Sequence, residues 1–412
     1  MIEFEKFELE NGLKVIVHND SSIPLACVNI LYNVGSRDED PAQTGFAHLF
    51  EHLMFGGSVN IPYYDEPLQT VGGENNAFTT NDITNYYITL PSDNLETAFW
   101  LESDRMLSLA FSEKSLDVQR NVVVEEFKQR YLNQPYGDVW LLLRPLAYKT
   151  HSYQWDTIGK EIAHIENAKI EDVKSFFYKF YCPNNAIMIV AGNVNTSEVR
   201  ALAEKWFSAI PKGPENKRSL TPEPLQTEPR TLTVKRDVPY DAIYKVYHMY
   251  SRYDREYYTV DLISDILSKG KSSRLYKELV KKKRLFSEVN AFLTGSFDKG
   301  LFVISGKLVK GVSTKAAEDA IEIELEKMRK ESVEEKELTK VKNKMESALS
   351  FSEMDILNKA MNLAVSELLG DANLINKEVE NYLSVTSLQI QEQSNRIFSE
   401  NNCSTLYYLS EK

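Results

Sequence analysis

Cysteine and histidine are scarce in this 412-residue chain, which has three of the one and six of the other. Cys27, Cys182 and Cys403 stand singly, without metal-like spacing, so no disulfide framework is expected and a reducing compartment would suit them. Basic residues are in deficit, 48 Lys and Arg against 60 Asp and Glu, for a formal charge of −12. That balance disfavours nucleic acid, which calls for basic patches, and suits basic peptides. No apolar run approaches the roughly 20 residues of a bilayer-spanning helix. The opening MIEFEKFELENG is charged from its third residue and lacks the apolar core of a signal peptide. A soluble cytoplasmic protein without a membrane span is the expectation.

What is present alternates between strand-like and helix-like patterns. FELENGLKVIVHND predicts a strand pair around the Asn11-Gly12 turn, and LACVNILYNVG a buried strand. NNAFTTNDITNYYITLP has the alternation and β-branched content of a strand. Helical patterns run through NLETAFWLESDRMLSL, SLDVQRNVVVEEFKQRYLN and GDVWLLLRPLAY, and NAIMIVAGNV is a further apolar strand. A proline-rich, aperiodic stretch then marks a linker at 213–230. Beyond it the style repeats: strands near 231–250, helices at YYTVDLISDILS and SSRLYKELVKK, strands through 307, long helices, and a last strand STLYYLS. The expected fold is α+β, with two homologous domains, 1–212 and 231–412, each a mainly antiparallel sheet covered by helices. GKSS at 270–273 is not a phosphate-binding loop, because Asp265 stands where that loop needs a glycine.

The chemistry concentrates in HLFEHLMFGG, residues 48–57. His48 and His52 lie four residues apart, on one face of a helix, with Glu51 projecting near the same point. A histidine pair at that spacing is ordinarily just hydrogen-bonded within a core or surface. Here Phe46, Leu49, Phe50, Leu53, Met54 and Phe55 make the segment strongly apolar, and buried polar groups are costly unless satisfied. Two imidazoles and a carboxylate on one side therefore point to a catalytic zinc site, which takes three protein ligands and leaves a position for water. His18, His151, His164 and His248 are isolated. The third ligand is sought in SLDVQRNVVVEEFKQR, where Val122, Val123 and Phe127 form an apolar stripe beside Glu125 and Glu126. An isolated Glu-Glu pair would ordinarily be a solvated helix face.

His-x-x-Glu-His inverts the commoner zincin order and is the inverzincin signature. With it the chain resembles the pitrilysin family of zinc peptidases, which includes insulysin and mitochondrial processing peptidase. The family's third ligand follows Arg-x-Val-Val-x-x-Glu about 75 residues on; Arg120, Val122, Val123 and Glu126 fit, with Glu126 lying 74 residues after His52. The resemblance extends through NQPYGDVW, HSYQWDTIG and SSRLYKEL, and the length matches the shorter, two-chain subfamily. It implies a zinc endopeptidase with ligands His48, His52 and Glu126 and Glu51 as general base. It assigns Asn76, Ala77, Phe78 and Thr79 to a substrate-binding edge strand, with Ala77 and Phe78 flanking the scissile bond. An auxiliary acidic position falls on Gln119, which can neither balance charge nor move protons. The Arg and Tyr that bind the substrate carbonyl in other members fall on Val280 and Ser287. A second homologous subunit supplying them is therefore expected, this chain being the zinc-bearing member of a heterodimer. The alternative is a non-catalytic structural or assembly subunit of the same family.

Overall fold

The computed structural model describes residues 1–411. It divides into two compact units, each gathered from three stretches of chain: Met1–Lys128, Trp155–Leu220 and Ser350–Lys377 in one, and Gln129–Gln154, Thr221–Leu349 and Glu378–Lys412 in the other. The N-terminal unit holds six strands: β1 (Glu5–Glu8), β2 (Lys14–Asn19), β3 (Leu25–Tyr32), β4 (Glu74–Thr79), β5 (Thr84–Pro91) and β6 (Ala186–Gly192). Their order is β1-β2-β6-β3-β5-β4, and every neighbouring pair is antiparallel except β2 with β6. All seven residues of β6 are buried, as are seven of the eight in β3, the signature of strands covered on both faces.

The other unit repeats this order. Strands β7 (Arg230–Arg236), β8 (Ala242–His248), β9 (Phe286–Leu293), β10 (Leu301–Leu308) and β11 (Cys403–Ser410) are arranged β7-β11-β8-β10-β9. Only β7 and β11 run parallel, as only β2 and β6 do in the first sheet. Strand for strand, β7-β11-β8-β10-β9 reproduces β2-β6-β3-β5-β4, so the duplication expected from sequence is present in the topology. Period-two alternation splits the second sheet cleanly. Ala242, Val246, Leu301, Val303 and Leu406 pack with Val139 and Leu143 of helix Val139–Ala147. Ile243, Tyr247, Phe302 and Ile304 pack instead with Val260, Ile263 and Ile266 of helix Glu256–Ser268.

Several expectations are corrected. NNAFTTNDITNYYITLP is not one strand but the hairpin β4–β5, because Thr80 to Ile83 turn the chain, with Thr80 N donating to Ile83 O (2.8 Å). Val122 is exposed, and the inward stripe of helix Glu113–Phe127 is Val123, Val124 and Phe127. Tyr276–Lys282 is wound as a π-helix, and helices Ile170–Phe180 and Thr196–Phe207 were not read from the sequence at all. The domain bounds 1–212 and 231–412 describe the sheets but not the helices. Helix Ile356–Leu368, from the second half of the chain, packs on β3 and β6, while Val139–Ala147, from the first half, packs on β7, β8 and β11. The stretch 213–230 forms neither helix nor strand before β7, as a linker should, but it is tied down. Arg218 binds Asp38 and Asn33 in one unit, and Gln226 donates to Cys403 O (2.8 Å) in the other. All three cysteines are buried and unpaired. Among the described residues no helix is long and apolar enough to cross a membrane.

Two outcomes follow from the exchanged helices. Leu363, wholly buried in helix Ile356–Leu368, should cost about 2–5 kcal/mol when replaced by alanine, measured by denaturant unfolding. A chain cut after residue 230 lacks this cover for β3 and β6 and should show no cooperative thermal transition. Addition of residues 231–412 should restore one. Cooperative melting of the shorter chain by itself would contradict the packing described.

Candidate metal centre

The motif segment folds as helix Phe46–Leu53, with Phe46, Ala47, Leu49, Phe50 and Leu53 buried. Phe50 stacks on Phe177 and Tyr181, which hold its apolar face against helix Ile170–Phe180. The opposite side carries His48, Glu51 and His52. Glu126 arrives from helix Glu113–Phe127, whose Arg120 donates to Glu166 O and to Ala168 O (3.2 and 2.9 Å). The next residue back, Glu125, is exposed and pairs with Lys128, so the two adjacent glutamates have separate roles.

The two Nε2 atoms of His48 and His52 stand 3.3 Å apart. Glu126 Oε2 lies 3.6 Å from the first and 3.5 Å from the second. Among the described residues this is the one group of three or more His, Cys, Asp or Glu side chains whose donor atoms converge so closely. The donor set fits zinc: ligands at about 2.0–2.1 Å around a tetrahedral ion lie roughly 3.3 Å from one another. It is also partly open, the His48, His52 and Glu126 side chains being 14%, 26% and 17% exposed, which leaves a fourth position within reach of solvent.

Glu51 is not in the triangle. Its Oε2 accepts a hydrogen bond from Thr79 Oγ1 (2.5 Å), and Thr79 is the last residue of β4. Burial raises the Glu51 carboxyl above its usual range, as does the nearby charge of Glu126, while the Thr79 bond and His52 act in the opposite sense. Strand β4 is the outer strand of its sheet and pairs only with β5. Ala77, Phe78 and Thr79 are half-buried along it, and exposed Asn76 folds its amide oxygen onto Ala77 N (2.8 Å). The four expected substrate residues thus share one sheet edge, and one of them touches Glu51. Gln119 is half-buried two turns before Glu126 on the same helix, hence on the same face.

Val280 packs against the apolar core of its own unit, and exposed Ser287 donates to Lys307 O (3.2 Å). Neither can present a guanidinium or a phenol. The run Lys281 to Arg284 is exposed at its helix end, as a solvated terminus should be.

Sequence reasoning missed Glu39 and Trp155. Glu39 is 6% exposed and accepts from Gly45 N (2.9 Å) and Ala47 N (2.8 Å) at the start of the motif helix. Trp155 Nε1 donates to its Oε2 (3.0 Å) and to Ser36 O (2.9 Å). Burial pushes the Glu39 carboxyl up to about 8, against these three donors, which favour the ionised form. Nothing in the acidic run Asp38-Glu39-Asp40 signals such a role. Gly45 begins the helix at φ +89°, where a Cβ would come within 2.8 Å of Ile158 O, so glycine is needed for both its backbone and its space.

Comparison with known proteins gives the family of the chain. A family model described as insulinase (peptidase family M16) matches residues 14–144, and one described as peptidase M16 inactive domain matches 167–345. The chain is 34% identical over 345 residues to the zinc protease PqqE of Helicobacter pylori (strain ATCC 700392 / 26695), covering 82% of this chain and 77% of that one. It is 24% identical over 399 residues to the uncharacterized zinc protease YmxG of Bacillus subtilis (strain 168), covering 96% of each. The crystal structure of a protease from Helicobacter pylori superposes with a TM-score of 0.93 at 29% identity, over 99% of this chain and 100% of that one. Pitrilysin shares the fold at 18% identity and a TM-score of 0.79, and this chain spans 45% of its length. A relative 34% identical over most of both chains, with family models on both halves, places the protein: it belongs to the insulinase family, peptidase family M16.

Proposed function

We propose that this chain is a zinc-dependent endopeptidase that cleaves peptides and unfolded polypeptide segments. The observation that carries the reading is the triangle of His48, His52 and Glu126 donors beside a carboxylate, Glu51, tied to an unpaired strand edge. His48 Nε2, His52 Nε2 and Glu126 Oε2 would hold the metal. Zinc bound there supplies Lewis-acid activation of a water molecule and of the scissile carbonyl.

The remaining work falls to the chain itself. Thr79 fixes Glu51 by one oxygen, leaving Oε1 to take a proton from the attacking water and deliver it to the departing amine. A substrate segment pairs with β4 as an added strand, its backbone meeting Asn76 to Thr79, after Asn76 releases Ala77 N. Such pairing demands an extended segment, so folded proteins are poor substrates and side-chain specificity is loose. The charge of −12 adds a preference for basic peptides that weakens with salt.

The same reading includes a partner. With Val280 and Ser287 where a substrate-carbonyl clamp is expected, a second homologous subunit supplies the Arg and Tyr. Pitrilysin, about twice this length in one chain, supports a two-part enzyme. The rival reading, a non-catalytic subunit, draws on the description of the C-terminal family model as an inactive domain. The intact donor triangle and Glu51 weigh against it.

Purified chain is expected to carry about one zinc, measured by elemental analysis, and His48→Ala or Glu126→Gln should lose it. Glu51→Gln should retain the zinc and lose about 10²–10⁴-fold in peptide cleavage. Equal cleavage by Glu51→Gln and the parent would rule out the assigned base, and no cleavage by the parent under any pairing would favour the non-catalytic subunit. Mixing with the homologous partner should raise the rate, since each missing carbonyl-binding donor is worth roughly 10²–10³. Full activity of the isolated chain would refute the heterodimer.

A further inference from the structure

The helix that carries His48, Glu51 and His52 starts without a capping side chain. Its first N–H groups have no partner within the helix, and the N-cap residue, Gly45, has no side chain to offer. Glu39 fills that place from six residues upstream, with one oxygen on Gly45 N and the other on Ala47 N, the residue immediately before His48. All three hydrogen-bond partners of this carboxyl group are N–H donors, the third being Trp155 Nε1, so each of its oxygens accepts at least one bond.

The turn bearing Glu39 is itself immobilised. Arg37 is buried against Asp82 at 2.8 Å, and Arg218 grips Asp38 through two bonds of 2.6 and 2.9 Å. Trp155 is held in turn, its carbonyl accepting from Asn81 Nδ2, which also donates to Ser36 Oγ (2.7 Å). The start of the motif helix is therefore pinned to this platform by the Glu39 side chain, while Thr44, just before Gly45, is held separately by His164 and Lys160 N. A helix this short, eight residues, has no length over which an error at its start could relax before His48.

We propose that Glu39 is a positioning residue of the metal centre: it sets the rotation and axial height of the first turn of the motif helix, and so the meeting point of His48 Nε2 and His52 Nε2 with Glu126. The inference rests on the zinc reading above and extends it to a residue that touches neither metal nor substrate. Partners bonded directly to ligand side chains typically change metal affinity about 10–100-fold, which sets the scale for a group acting one step further out through the helix backbone.

The test is zinc affinity of the full-length chain, by competition with a chromogenic chelator at a temperature where circular dichroism shows the variant folded. Glu39→Gln replaces one acceptor with a donor aimed at a backbone N–H. It should bind zinc about 10–100-fold more weakly, with Glu39→Asp intermediate. Trp155→Phe keeps the ring, removes the donor to Oε2, and should weaken zinc binding in the same direction by a smaller factor. It decides the question alone if Glu39→Gln does not fold. A Glu39→Gln chain that is folded and binds zinc as the parent does would overturn the proposal, even if its melting temperature fell, since that fall marks a merely structural cap. The same parental affinity in Trp155→Phe, were Glu39→Gln unfolded, would overturn it too. A parent chain that binds no zinc would overturn the metal reading itself, which is a different and separately visible failure.

Discussion

Three donor atoms held 3.3–3.6 Å apart are the constraint from which the rest of the N-terminal unit can be understood. Two imidazoles and a carboxylate at that distance can share protons or converge on one cation, and in either case the scaffold must bring them together. Two of them come from one helix by its periodicity alone, at i and i+4. The third must come from another helix, and that requires both helices to be fixed in height and rotation. The apolar stack of Phe50 on Phe177 and Tyr181 fixes one face of the first helix, and the Glu39 carboxylate fixes its start. Arg120, bonded to Glu166 O and Ala168 O, secures the second.

The same sheet order serves two different ends in the two units. Between β3 and β4 the first unit places the motif helix, with its polar side chains turned to the candidate site. Between β8 and β9 the second unit places helix Glu256–Ser268, whose buried residues Val260, Leu262, Ile263, Ile266 and Leu267 complete a core. The duplicated unit thus keeps its packing scheme, while among the described residues only the first copy carries a converging cluster of His48, His52 and Glu126. The exchange of helices Ile356–Leu368 and Val139–Ala147 makes each sheet dependent on chain from the opposite half of the sequence. Neither half of the chain carries a complete set of layers.

Periodicity made much of this legible. The continuous apolar runs at β3 and β6, the Asn11-Gly12 turn and the i,i+4 histidines are local patterns, and local patterns survive in one sequence. Glu126 could be told from Glu125 only through the resemblance, because two adjacent glutamates on a helix look alike until burial separates them. The exchanged helices could not be read, since an amphipathic stripe says that a face is buried without saying against which sheet. Nor could Glu39: an acidic residue in a polar turn is ordinarily solvated, and its role comes from a fold that brings Trp155 and the motif helix to it. The turn inside NNAFTTNDITNYYITLP does have a signal, the turn-favouring pair Asn81-Asp82, but it is flanked on both sides by strand-favouring threonine and isoleucine that make the segment look continuous.

The central claim is that His48, His52 and Glu126 form a zinc site. A crystal grown with zinc and measured on both sides of the zinc absorption edge tests it directly, because the anomalous difference locates the metal without reference to activity. The account predicts one peak per chain, about 2.0–2.1 Å from both Nε2 atoms and within coordinating distance of Glu126. A metal-replete crystal with no peak there, or with its only peak on other residues, would contradict it.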